Sequence, residues 1–262
     1  MKHLSQSALS FAFLLLLISC KKEQTEPKAT LNQQEVVLQY NQTFDFEVKK
    51  GSSIVDFSTL ATSSSDEFVG KTNNQGQFIA NTIGETTIKI LGEGINLTAK
   101  VTVNPIQQLF AEPVTNFTYD KMQIKSAEKR ILLQETATGL VYNGENNNLE
   151  DVIYLFTPQG KLSAAALLFP STSSLVEKTA VFYAERYNMI GSSENYYYFE
   201  NPKLQYIVGI GVDADLGFHA LYFKPEDTNA WNIQKAIEPM QLKTRKPVNK
   251  DLMLKYHELK KN

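Results

Sequence analysis

One cysteine, Cys20, stands in the 262 residues, and tryptophan is equally scarce, with Trp231 alone. Without a second thiol the folded body can hold no disulfide and no cysteine-ligated metal, so its stability has to come from packing. Positive charge is also in short supply. The 26 Lys and Arg against 28 Asp and Glu leave a net charge of −2, and no basic stripe is present of the kind that displaces phosphate counterions, which argues against nucleic acid as a partner. The basic tail from Lys243 to Lys261 is interrupted by Asp251 and Glu258 and reads as a solvated face. After Cys20 the only histidines are His219 and His257, and neither sits in a nucleophile or metal motif. With no recognisable catalytic motif, the chain reads as a non-enzyme that needs neither cofactor nor metal.

What is present is enough apolar chain to fold. Hydrophobic residues make up 42%, with 15 Phe and 12 Tyr, a composition of globular rather than disordered proteins. The length exceeds a single domain of roughly 100–200 residues, so two modest domains are expected.

At the N-terminus, Lys2 and His3 precede an apolar run from Ala8 to Ile18, broken only by Ser10. That run falls short of the ~20 residues of a permanent transmembrane helix and has the form of a signal-peptide core. It ends in Leu17-Ile18-Ser19-Cys20, which resembles the lipobox of bacterial lipoproteins. The resemblance implies cleavage after residues 1–19, a diacylglyceryl chain on the Cys20 thiol and membrane attachment; loss of Lys2 with the signal makes the net charge one unit more negative. Residues 20–27 are polar and without periodicity, a flexible tether. A charged stretch just after the lipid cysteine is similar to the export signals of Bacteroidetes surface lipoproteins, which implies the outer membrane, at its periplasmic face or the cell surface.

Residues 28–104 alternate in short β-rich runs, 35–38, 43–48, 68–71, 77–80, 86–91 and 97–103, with turn residues between them. The spacing predicts a small all-β sandwich. Ser63-Ser64-Ser65-Asp66, Gly76-Gln77-Phe78-Ile79-Ala80, Gly84-Glu85-Thr86-Thr87-Ile88 and Lys100-Val101-Thr102-Val103 resemble the second family of bacterial immunoglobulin-like domains, Big2. The resemblance implies an Ig-like spacer or adhesion module with no catalytic residues. Where many members carry a Trp before the serine turn, this sequence has Phe57 or Leu60 to fill the position.

A linker is expected over 105–115, followed by a second domain over 116–225 and a C-terminal extension over 226–262. Residues 119–130 suit a short amphipathic helix capped by Asp120, and 173–188 a second one capped by Ser173 or Ser174. Strands are expected at 131–135, 138–143, 152–157, 161–169, 196–200, 204–212 and 218–223, with a hairpin turn through Pro158-Gln159-Gly160. Two helices on one face of an antiparallel sheet make an α+β domain. The order of these pieces resembles uncharacterised C-terminal domains of Bacteroidetes lipoproteins. In topology it is also similar to the helix-plus-meander class of beta-lactamase-inhibitor-like and small outer-membrane assembly lipoproteins.

Three clusters could carry chemistry. Tyr196, Tyr197, Tyr198 and Phe199 could stack on a ligand, although alternate rings of a strand also serve a core. Asp213 and Asp215 have the spacing of an oxygen-ligand loop but lack its further acidic ligands, and turn residues between strands have the same composition. His219, beside Phe218 in a strand, suits a structural role better than a triad. The reading that follows is a non-catalytic, lipid-anchored envelope protein in which an Ig-like spacer presents an α+β domain to a protein, peptide or glycan. The alternative is a periplasmic assembly or inhibitor lipoprotein, with an envelope enzyme a more distant one.

Overall fold

The computed structural model describes residues 27–192, 196–213 and 216–225. The expected signal segment, Cys20, the tether before Pro27, Asp215 and the extension 226–262 with Trp231 and His257 lie outside the described residues, as does the Asp213 side chain.

Residues 29–104 form three sheets around one core. Their strands are β1 (Ala29–Leu31), β2 (Glu35–Gln39), β3 (Thr43–Asp45), β4 (Val48–Lys50), β5 (Ser53–Ile54), β6 (Ala61–Ser64), β7 (Gly70–Thr72), β8 (Gln77–Ala80), β9 (Gly84–Gly92) and β10 (Ile95–Asn104). The orders are β1-β4-β5, β2-β10-β9-β6 and β3-β8-β7, and β2 runs parallel to β10. Period-two alternation drives the largest of them: Thr86, Ile88 and Ile90 of β9 and Ala99, Val101 and Val103 of β10 point inward while their neighbours face water. Phe57 joins this core. Its ring explains Gly76, whose φ is +87° and where a Cβ would stand 2.8 Å from the ring.

The second half is dominated by one eight-stranded antiparallel sheet. After α1 (Lys121–Ala127) come β11 (Leu132–Glu135), β12 (Gly139–Asn143), β13 (Asp151–Phe156) and β14 (Leu162–Phe169); after α2 (Ser173–Ala184) come β15 (Asn188–Ser192), β16 (Tyr196–Glu200), β17 (Ile207–Asp213) and β18 (Gly217–Phe223). The spatial order is β11-β12-β13-β14-β18-β17-β16-β15. Helix α2 therefore carries the chain from the sheet's centre to its far edge, from which it returns strand by strand to pair β18 with β14.

This corrects the expected pairing of an Ig-like sandwich with an α+β domain. The described residues are mostly β throughout, with several sheets in place of two domain-sized layers, and the two helices span only 7 and 12 residues. Both helices stop short of their predicted ends because charged residues turn inward. Asp120 caps α1 as predicted, accepting from the Gln123 amide, but the helix ends before Glu128 and Arg130. Thr172, in place of Ser173 or Ser174, caps α2, which ends before Glu185 and Arg186. Asn188, the expected last residue of that helix, instead opens β15, a strand that was not expected and that pairs with β16.

Those charged residues hold a strap. Residues 105–119 contain no strand or helix, yet Leu109, Phe110, Val114 and Phe117 pack into the main core on the same side of the sheet as α2. A buried chain without a ladder must satisfy its backbone groups some other way, and here side chains do it. The Glu185 carboxylate, fully buried, accepts from the amides of Ile106 at 2.7 Å and Gln107 at 3.2 Å. Arg186 donates to the Gln107 carbonyl, Asn146 to the Leu109 carbonyl and Arg130 to the Ala111 carbonyl. Glu145 receives the Ala111 amide and the Tyr154 hydroxyl receives the Val114 amide. Glu185 also ties the halves together, since its own carbonyl accepts from the Ile83 amide at 2.7 Å.

Replacing Glu185 by Ala orphans two amides and leaves Arg186 without its buried partner, which should cost about 3 kcal/mol. Urea unfolding followed by circular dichroism measures this, and a loss below about 1 kcal/mol would show that the strap is held without the carboxylate.

Candidate functional site

Helix α2 buries Leu175, Val176, Thr179, Phe182 and Tyr183, the spacing of one apolar stripe. Beside that stripe, Ala180 and Ala184 stand one turn apart, and their short side chains leave space between helix and sheet. The result is an apolar cleft of about 200 Å³ lined by Val176, Ala180 and Ala184 above and by Tyr197, Phe199, Ile210 and Phe218 below, with Met189 at its mouth. A second groove of about 340 Å³ runs on from it between the two halves, sharing Ala184, Met189 and Phe199 and adding Tyr40, Glu67, Phe68 and Asn81 from the first half. Tyr40 has its hydroxyl pKa pushed up, first by burial and then by the negative charge of Glu185. Across the first-half rim of this groove, Asp66 pairs with Lys203 of the second half.

Both spaces open at β15, which is an edge of the eight-stranded sheet. Its Met189 and Ile190 are 62% and 46% exposed. A register shift between Met189 and Gly191 makes Ile190 a bulge residue, so the edge twists where the cleft opens. The arrangement therefore offers a strand whose outer edge is unpaired among the described residues, beside a slot for one apolar side chain.

The aromatic run predicted as a platform is divided by the pleat. Tyr197 and Phe199 face α2 and line the cleft, where burial raises the Tyr197 pKa. Tyr196 and Tyr198 face the other way and stack at 6.1 Å with 17° between their planes. The Tyr196 hydroxyl meets His219 Nε2 at 2.9 Å, and His219 Nδ1 lies 2.9 Å from the Gly217 carbonyl. His219 is fully buried, and these contacts orient its ring within the sheet. Among the described residues no group of three or more His, Cys, Asp or Glu is placed to hold a metal.

A larger cavity of about 560 Å³, lined by Ala111, Val114, Glu128, Arg130, Ile131 and Glu145 among others, lies where the strap passes the end of α1. Three of its charged residues, Glu128, Arg130 and Glu145, are engaged with one another. Arg130 donates to Glu128 at 2.9 Å and also to Glu145, and Tyr154 donates to Glu128. Burial and the Glu128 carboxylate drive the Tyr154 pKa far up. These ion pairs also serve the strap, since Arg130 and Glu145 both bond to the Ala111 backbone. A third polar cluster completes the strap's anchorage: Tyr187 and Tyr222 both donate to Glu112, while Tyr183 and Tyr222 share a hydrogen bond of 2.8 Å. Burial raises the Glu112 pKa and drives those of the three tyrosines upward.

Sequence reasoning missed the cleft, β15 and these glutamates. A usable signal was present in Ala180 and Ala184 at i, i+4 and in the Glu-Arg pairs just past each helix.

No family model matches the chain, and no curated protein matches it. Among solved structures, domains 5–6 of the S-layer protein SbsC are similar over 78% of this chain and 86% of theirs, at 10% identity and a TM-score of 0.26. Domains 4–9 of the same protein align with 78% of this chain at 10% identity and a TM-score of 0.25, and there the chain spans only 27% of the neighbour. Scores at this level establish no common fold. Among the described residues no helix is long and apolar enough to cross a membrane.

Burial opposes ionisation of Glu145, but Arg130 and the Ala111 amide outweigh it and hold its pKa below the usual carboxylate range. A lowered folded-state pKa gives stability that is present above the unfolded pKa and is lost as pH falls through the folded one. Glu145→Gln should therefore lower stability at pH 7 and flatten its decline below about pH 4.3, measured by urea midpoints across pH; an unchanged acid limb would remove Glu145 from the account.

Proposed function

We propose that this chain is a lipid-anchored, non-catalytic cell-envelope protein that binds an extended apolar segment of another polypeptide along β15, with one side chain of that segment seated under α2. The observation that carries the reading is the open β15 edge lying directly against the apolar cleft. An added strand gains main-chain hydrogen bonds from an edge, and a pocket beside it selects alternate side chains. The lining favours a peptide over a glycan, because the cleft presents aliphatic and aromatic carbon with few polar groups to read sugar hydroxyls. Attachment follows from the resemblance of Leu17-Ile18-Ser19-Cys20 to a lipobox, with at least two acyl chains needed for stable anchoring. Outer-membrane placement, like kinship with Bacteroidetes lipoproteins, is part of the same proposal.

The binding half is tested by selecting from a displayed library of short linear peptides on the full chain. Enriched peptides should alternate apolar residues, and binding should fall at least about tenfold in Ile190→Lys, which places a charge on the edge, and in Ala180→Phe, which fills the cleft. No enrichment, or peptides indifferent to both substitutions, would sink the reading.

The address is tested separately by fractionation and by protease shaving of intact cells carrying a C-terminal tag. Cys20→Ala should move the protein from the membrane to the soluble fraction. Loss of the tag on shaving marks the cell surface and makes extracellular polypeptides the partners, whereas retention marks the periplasmic face and favours an assembly or inhibitor role.

A further inference from the structure

The cleft under α2 is apolar, but the groove that runs on from it is not. Three carboxamides line it, Asn41 from the β2–β3 turn, Asn81 just after β8 and Asn188 at the start of β15, together with the Glu67 carboxylate. All four residues are exposed, and none of the three carboxamides holds a hydrogen-bond partner among the described residues. Glu67 meets Lys71 at 3.4 Å in a pair whose side chains are both more than half exposed. Such surface pairs contribute little, so the carboxylate is open to a stronger partner. No lysine, arginine or histidine is among the described lining residues, while Tyr40 and Phe68 add aromatic surface. The segments that carry these groups are bonded to one another. The Asn41 amide donates to the Ala80 carbonyl at 3.0 Å, the Asn81 amide to the Val69 carbonyl at 2.9 Å and the Thr82 hydroxyl to the Phe68 carbonyl at 2.6 Å. The Ile83 amide then ties them to Glu185 just past α2. The groove is thus held in shape without a ligand, which lowers the ordering cost of binding.

We infer that this groove selects a basic side chain, arginine above lysine, two residues from the apolar anchor of a peptide bound along β15. The inference rests on that binding reading and adds to it which sequences bind. Continuity places the two side chains. Ala184, Met189 and Phe199 belong to both spaces, and Asn188 leads from the groove into β15. Side chains of a strand alternate, so those on one side stand two residues and about 7 Å apart. The anchor and the basic group therefore enter adjoining spaces from the same side of the added strand. A guanidinium suits the lining because it carries five N–H donors and no acceptor, which matches carboxamide and carboxylate oxygens. Its plane also stacks on aromatic rings such as those of Tyr40 and Phe68. An ammonium brings the charge with fewer donors and no plane to stack. An acidic side chain meets Glu67 and no cation among the described lining residues.

The test takes a peptide selected on the full chain and remakes it with Arg, Lys, Ala or Glu at the position two residues from its anchor, on each side in turn. At one of the two positions the arginine peptide should bind the native chain at least about tenfold tighter than the glutamate peptide. Lysine should fall between them, and the gap should narrow as salt is raised. Glu67→Lys, a change at an exposed side chain, should reverse the order of the arginine and glutamate peptides while the apolar anchor keeps its effect. Should that variant fail to fold, the arginine and glutamate peptides on the native chain decide alone. Equal affinity for those two peptides, or a preference that Glu67→Lys leaves untouched, overturns the inference. Edge binding would still stand in that case, because the anchor and the Ile190→Lys substitution report on it separately. An anchor without effect, or no selected peptide at all, sinks the edge reading and this inference with it.

Discussion

An eight-stranded sheet that is apolar on both faces sets the terms for everything around it. β13 buries all six of its residues and β14 seven of its eight, so neither strand has a side that water can wet. Such a sheet is stable only when something covers each face, and the rest of the second half is an account of how one face is covered and held.

The cover on the α2 side is largely a strap with no regular structure, which raises a problem that helices and strands solve for themselves. Its amides and carbonyls are removed from water with no ladder to receive them. The protein meets this with side chains: Glu185, Arg186, Asn146, Glu145, Arg130 and Tyr154 each take a backbone group of the strap. Charged acceptors and donors suit this task because their hydrogen bonds are stronger than neutral ones, and their charge is largely offset by pairing Glu185 with Arg186 and by Arg130 standing between Glu128 and Glu145. Glu185, Arg186, Arg130 and Glu145 are thus accounted for by the strap they hold. Glu185 does one thing more, since its carbonyl binds Ile83 and so fixes the first half against the edge where the groove opens.

With the α2 face closed, the sheet's edges come next. β15 combines an outer edge unpaired among the described residues with exposed Met189 and Ile190 and an adjoining apolar cleft. Natural proteins usually protect such edges with charge or proline; β15 has neither, and its protection is limited to a bulge. That absence of protection, next to a pocket of side-chain size, is what the proposed peptide docking rests on.

Local chemistry was legible in the sequence. The run 77–80 is β8 residue for residue, β9 and β10 extend their predicted runs by a few residues at each end, Asp120 caps α1, and the turn before Lys161 forms with Gly160 at a φ of +77°. These features depend on residues near one another in the chain, where side-chain period and turn preference act alone. The aromatic run at 196–199 was legible as a strand, but which pair of rings would meet the cleft depended on the register with β17. What sequence by itself determined is therefore most of the longer strands, the turns and the lipobox pattern, while β1, β5, β6 and β15 escaped it. Only the tertiary structure decided that the chain leaves α2 at Ala184 and forms an edge strand over residues 188–192, that the short strands of the first half divide into three sheets, and that glutamates far apart in sequence converge on one strap. The reason is physical: the 3.6-residue spacing of residues 175–187 suits a helix equally well through residue 188, and the competing terms, burial of Glu185 against two amides and pairing of β15 with β16, exist only once distant segments have met.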